Sequence, residues 1–175
     1  IPLLTMRIFS EEKRQKTDQL LYTAPVGLTG VVIGKYLAAM TVFGIALGIT
    51  VVFQIITAFL VTPDWLLFIG NLLGMILLAS AMISIGIFIS ALTESQLVAA
   101  VASFAVSMAL WLIDTVASLI NVGWVTKLVG WISFNSRYTG FTQGILDYSN
   151  MVFFASFTAL FLFLTVRVLD RKRYA

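Results

Sequence analysis

Residues 64–94 read DWLLFIGNLLGMILLASAMISIGIFISALTE, and between Asp64 and Glu94 there is no charge at all. A helix needs roughly 20 consecutive apolar residues to cross the hydrocarbon of a bilayer, and this run exceeds that. In lipid every backbone N–H and C=O must be satisfied within the segment, so a run of this kind is a helix. Working outward, Lys35 to Asp64 bounds a second uncharged run. A third follows Glu94 to about Ile120, broken only by Asp114, and a fourth lies between Asp147 and Arg167. The spans expected are about 36–61, 66–91, 96–121 and 150–169. They form an all-α membrane protein, a polytopic helical bundle with four transmembrane helices, in which 1–175 is a single transmembrane domain.

Composition agrees. Hydrophobic residues make up 60% of the chain and charged residues 11%, against roughly 45–50% and 25% in soluble domains, so most of the surface must face lipid. Cysteine and histidine are absent, which removes disulfides, the usual zinc and iron–sulfur ligands and imidazole acid–base chemistry. The opening Ile1-Pro2-Leu3-Leu4 reads as the tail of an apolar segment, so a preceding N-terminal portion is expected. No cleavable signal peptide is visible.

An even number of spans puts both ends of the chain on one side. Arg7, Lys13, Arg14, Lys16, Lys35, Arg167, Arg171, Lys172 and Arg173 fall on that side, and only Lys127 and Arg137 on the other. The positive-inside rule makes the basic side cytoplasmic, in the plasma membrane. Val61-Thr62-Pro63-Asp64 is a short outer turn with Trp65 as an interface anchor, and Ala91-Leu92-Thr93-Glu94-Ser95 a short inner turn in which Ser95 or Thr93 caps the next helix. The outer segment 122–149 carries Trp124, Trp131, Phe134, Tyr138, Phe141 and Tyr148 among four glycines. Two readings stay open for it: short re-entrant helices, or an aromatic belt on the interface.

Residues 7–25 are the polar exception. Ser10 is an N-cap candidate that places Glu11 and Glu12 in a helical first turn, where the dipole favours acids. Glu12 and Lys16 are spaced for an i,i+4 pair, and Pro25 stops the helix. The segment is either a solvated loop whose charges enforce topology or a docking element for a cytoplasmic partner. Glu11-Glu12-Lys13-Arg14, Thr17, Leu20-Leu21, Pro25 and Gly34-Lys35-Tyr36, in this order, resemble the signature of ABC-2-type transporter permeases, in particular the gliding-motility branch. Phe141-Thr142-Gln143-Gly144-Ile145-Leu146-Asp147 and the run Phe161 to Leu169 are similar to the same branch. Lys16-Thr17-Asp18 departs from it, since the family more often has glycine before the threonine.

The resemblance implies a six-helix subunit with the first helix and most of the second missing, and outer re-entrant helices in 122–149. It implies a cytoplasmic coupling helix contacting the ABC ATPase subunit through Glu11, Glu12, Lys13, Arg14, Thr17, Leu20 and Leu21, and a second permease subunit completing the path. The function expected is the permease subunit of an ATP-driven exporter. The chain holds no P-loop, since Gly34-Lys35 is followed by Tyr36 and Thr29 stands where the first glycine belongs; it is not itself an enzyme and calls for no cofactor or metal. Two alternatives stand beside this: an ion-coupled transporter or channel fragment built on Asp114, with Gln54 and Asn71 as further intramembrane polar residues, and a non-transporting assembly subunit. Asp114 can equally be an interfacial residue paired with Lys127 or Arg137. Ser80, Ser84 and Ser107 suit interhelical hydrogen bonds, and the pairs Gly44/Gly48 and Gly70/Gly74 have the spacing of close helix packing. The tail Arg171-Lys172-Arg173 follows a span directly, so anionic lipid rather than nucleic acid is its expected partner.

Overall fold

The computed structural model describes residues 1–15, 27–60, 62, 64–120 and 133–173, with the backbone alone for 114–120 and 172–173. Every regular element among them is an α-helix: α1 (Pro2–Thr5), α2 (Arg7–Arg14), α3 (Leu28–Ala58), α4 (Trp65–Leu92), α5 (Gln96–Ile120), α6 (Phe134–Thr142) and α7 (Tyr148–Arg173). Four of them, α3, α4, α5 and α7, are long and apolar enough to cross a membrane.

Helix α4 starts where its sequence directs. The Asp64 carboxylate accepts the N–H groups of Leu66 and Leu67 at 3.1 and 3.3 Å, satisfying two of the donors that a helix start leaves unpaired. Ser95 caps α5 through the Val98 N–H at 3.5 Å. Helix α3 differs from expectation, beginning at Leu28 rather than near Tyr36. Its 31 residues measure about 46 Å, longer than a hydrocarbon core of about 30 Å. The uncharged part from Tyr36 onward suffices to cross, and the first two turns project beyond it.

Helix α4 is the hub. Of its most apolar stretch 56% is buried in the bundle, against 11% for α3 and α5 and 22% for α7. Hydroxyls tie three helices together at the middle of α4 and α7: the Tyr36 phenol of α3 donates to Ser80 Oγ at 3.0 Å, and Ser80 shares a 2.7 Å hydrogen bond with Thr158. Ser80 and Thr158 on one level, with the Phe88 ring against Phe161 on the next, set α7 parallel to α4.

Helix α6 shows what the glycines of α4 do. A Cβ on Gly70 would stand 2.9 Å from the Phe141 carbonyl, and one on Gly74 would stand 2.7 Å from the Phe141 Cβ. The backbone of α6 therefore lies directly on α4 at this pair. Ser133 caps α6 by accepting from Ser136 N–H at 2.9 Å. Its other end closes with Ile145 N–H on Gly140 C=O at 3.0 Å and Gly144 N–H on Phe141 C=O at 3.1 Å. This closure needs a left-handed residue, supplied by Gly144 at φ 74°. In the segment expected to be re-entrant or interfacial, Phe134 and Phe141 are fully buried. Phe134 sits edge-on to Phe153, Phe154 and Phe157 of α7, while Tyr148 is exposed. Residues 121–132, with Trp124, Lys127 and Trp131, lie outside the described residues. Gly44 and Gly48 have the same spacing, yet nothing lies within 4 Å of a Cβ at either.

Two glycine pairs of identical spacing should thus respond oppositely. Gly70→Ala or Gly74→Ala overpacks a close backbone contact, at a cost of about 1–3 kcal/mol, and should lower the unfolding temperature of the detergent-solubilised protein. Gly44→Ala and Gly48→Ala should leave it within about 0.5 kcal/mol of the parent. Equal effects at the two pairs would contradict the seating of α6.

Candidate functional site

The polar helix α2 is docked across the end of α4. Helix α1 leads into it, and its Thr5 side chain lies so close to Gly86 that a Cβ there would stand 2.7 Å from the Thr5 Cβ. Met6 joins α1 to α2 in helical conformation. Into this joint projects the Ser90 hydroxyl of α4, accepting the N–H groups of Phe9 and Ser10 at 3.0 and 3.1 Å and donating to the Met6 carbonyl at 3.1 Å. A side chain of another helix thereby serves donors near the start of α2.

At its far end α2 returns the favour in kind. Lys13 is buried, and its ammonium donates to the Ala91 carbonyl in the last turn of α4, where unpaired carbonyls and the helix dipole favour a cation. Two helices cap each other. A third joins from α3, whose Lys35 pairs with the Glu12 carboxylate, donates to the Ile8 carbonyl at 2.7 Å and stands 4.1 Å from the centre of the Phe9 ring. Below these contacts Phe9, Leu28, Val32, Ile87, Ala91 and Leu169 form one buried cluster. That cluster brings α2, the start of α3 and the end of α7 to one end of the bundle.

These positions revise the local reading of the segment. Ser10 is not the N-cap: α2 begins at Arg7, and the Ser10 hydroxyl instead bonds back to the Met6 carbonyl one turn earlier. Glu11 and Glu12 consequently lie in the second half of the helix. Glu12 meets Lys35 of α3, and Lys16, its expected i,i+4 partner, lies outside the described residues. Of the expected coupling residues, Glu12 and Lys13 turn inward to α3 and α4. Arg14 and Gln15 turn outward, and both hold the half-buried Glu11 carboxylate, Arg14 at 3.3 Å and the Gln15 amide at 2.6 Å. Arg14 is the most open, its side chain 65% exposed. Thr17, Leu20, Leu21 and Pro25 lie outside the described residues. Beside the outward face a groove of about 600 Å³ opens between α2 and the α4–α5 turn, lined by Met6, Arg14, Glu94, Ser95, Gln96 and Leu97.

The intramembrane polar residues are less informative. Asp114 lies on α5, and its side chain is outside the described residues. The Asn71 amide donates to the Leu67 carbonyl of its own helix at 3.2 Å, and Gln54 is half-buried on α3. A cavity of about 480 Å³, lined chiefly by Met75, Met82, Phe104, Met108, Trp111 and Tyr138, includes neither of them. Arg137 donates to the Asn150 side chain at 3.2 Å and stands over the Phe153 ring. Ser90 has no signal in the sequence beyond being a serine near a span's end, and Lys35 reads as a run boundary and part of the Gly34-Lys35-Tyr36 motif, with nothing to point to Glu12.

A bundle of four spanning helices with a short charged helix fastened across one end matches the ABC-2 family transporter protein profile over residues 1–167. The chain belongs to the ABC-2 transporter family. This ABC-2 protein is accordingly a multi-pass membrane component, the permease subunit of an ABC transporter, and its family implies association with an ABC ATPase subunit. No curated protein and no solved structure matches it.

The clamp around Lys35 is uneven. Lys35 holds three partners of α2 and Glu12 holds one of α3 among the contacts described. Lys35→Met should cost about 1–3 kcal/mol by removing at once the ion pair with Glu12, the hydrogen bond to the Ile8 carbonyl and the cation–π contact with Phe9, and Glu12→Gln, which removes only the first, less than half of that. Thermal unfolding in detergent, read as a double-mutant cycle, checks this; equal losses would contradict it.

Proposed function

We propose that this permease subunit works in an ATP-driven exporter and that α2 is the element on which the ATPase subunit docks. The observation that carries this reading is the division of α2 into two faces. Phe9, Lys13 and Glu12 fasten it to the bundle, while Arg14 and Gln15 are exposed and Arg14 borders the groove at the α4–α5 turn. A helix serving topology alone requires no such fastening. A helix that receives force requires both an outward face for the partner and an inward face fixed to what must move.

Orientation follows from charge. Arg7, Lys13, Arg14, Lys35, Arg167 and Arg171 belong to elements that meet at the α2 end, and the positive-inside rule places that end in the cytoplasm, where ATP is available. Both ends of the chain then lie on the cytoplasmic side of the plasma membrane, and α6 lies toward the outer side. Nucleotide-driven closure of the ATPase would press on α2, and the bundle would tilt around the path. A path of substrate size needs a second permease subunit, homologous or identical, with lipid covering the remaining apolar surface. The Glu12→Ala variant would disturb coupling through Lys35 and the seating of α2 rather than through direct contact.

Charge reversal tests the docking face. Arg14→Glu should reduce co-purification with the ATPase subunit and ATP-dependent transport by about tenfold or more, the size of one interfacial hot-spot contact. Because Arg14 is mostly exposed, the unfolding temperature should hardly change. Wild-type transport by this variant would count against docking on α2.

A further inference from the structure

The mutual capping of α2 and α4 has its counterpart at the other end of α4. Ser90 and Lys13 fix α2 to the last turns of α4. Gly70 and Gly74 receive the α6 backbone, and Leu67 packs on Gly144. From Gly74 to Ser90 the helix covers about 24 Å, and the intervening stretch is the most buried of the bundle. The far half of α3 differs: Gly44 and Gly48 meet nothing, and Ile45, Ile49, Val52 and Phe53 are exposed.

We propose that Ser90 and Lys13 are positioning residues that make α2, α4 and α6 one rigid body, so that a displacement of α2 at one membrane face moves α6 at the other. The inference rests on α2 being the element that the ATPase moves. A hydroxyl that serves two N–H groups and one carbonyl, together with an ammonium on a helix terminus, restrains α2 in both translation and rotation relative to α4. A helix backbone seated on two glycines cannot slide without a clash. Force applied to α2 therefore has no soft joint to dissipate it before α6, whereas α3 beyond Phe43 can part from α4 at little cost. Coupling of this kind is a claim about two arrangements of a contiguous body and must be shown by a coupled response.

The test uses the complete complex with its ATPase subunit in lipid nanodiscs. Spin labels on Arg7→Cys and Thr139→Cys report α2 against α6; labels on Thr139→Cys and Val52→Cys report α6 against α3. On adding a non-hydrolysable ATP analogue, the first distance should stay fixed and the second should shift. Ser90→Ala combined with Lys13→Met should broaden the first distribution at least twofold without nucleotide. It should also lower transport per ATP hydrolysed at least fivefold, with the ATPase subunit still bound. Ser90→Thr and Lys13→Arg, which keep the hydroxyl and the cation, should restore both. A first distance that shifts with nucleotide, or one that stays narrow in the double variant, overturns the proposal. So does a complex in which neither distance responds. If Arg14→Glu still releases the ATPase in that last case, the docking of the ATPase on α2 survives and only the rigid linkage is lost.

Discussion

Lipid gives apolar helices no hydrophobic reason to associate, because the bilayer solvates a leucine as well as a neighbouring helix does. What holds this bundle together must therefore be close packing and hydrogen bonding, and α4 supplies both along its length. Gly70, Gly74 and Gly86 admit α6 and α1 to its backbone. Ser80 bonds to α3 and α7, and Ser90 to α2. Small residues occupy the positions where a neighbour must come near, and large apolar residues fill the remaining surface. Remove the close approaches on α4 and, among the described residues, no comparable set of contacts joins the other helices.

The same helix explains how a polar segment can be part of an apolar protein. Six of the eight residues of helix α2 are polar or charged, and the helix can lie against a membrane bundle's end only because the costs of the inward ones are met there. The Lys13 ammonium finds the carbonyl end of α4, and Lys35 finds both a carboxylate and a carbonyl. Each buried charge has a partner, as burial demands. The outward residues remain hydrated and available. The proposed docking of the ATPase subunit on α2 rests on that asymmetry.

The spans were legible because the physics that sets them is local. Asp64 and Glu94 bracket α4 as charges that stay out of hydrocarbon, and Asp64 caps the helix from the adjacent position. Helix α3 begins earlier than its sequence suggests, because Lys35 looks like the limit of an apolar run. Its charge is instead neutralised by Glu12 and the Ile8 carbonyl, far away in sequence. Ser10 misled for a similar reason: it has the right chemistry for a cap, but the cap of α2 comes from Ser90, eighty residues away. The glycine pairs make the point most clearly. Gly44/Gly48 and Gly70/Gly74 are indistinguishable in spacing, and only the course of the whole chain decides which pair meets a neighbour.

All of this requires four passes, with the docked helix and the end of α7 on the same membrane face. The absence of cysteine from the chain makes the direct measurement simple: single cysteines at Gln15, Arg171 and Gln143, probed with a membrane-impermeant maleimide in intact cells and in inverted vesicles. Gln15→Cys and Arg171→Cys should both label only when the cytoplasmic face is exposed, and Gln143→Cys only from outside. Labelling of Gln15→Cys and Arg171→Cys from opposite faces would contradict the account.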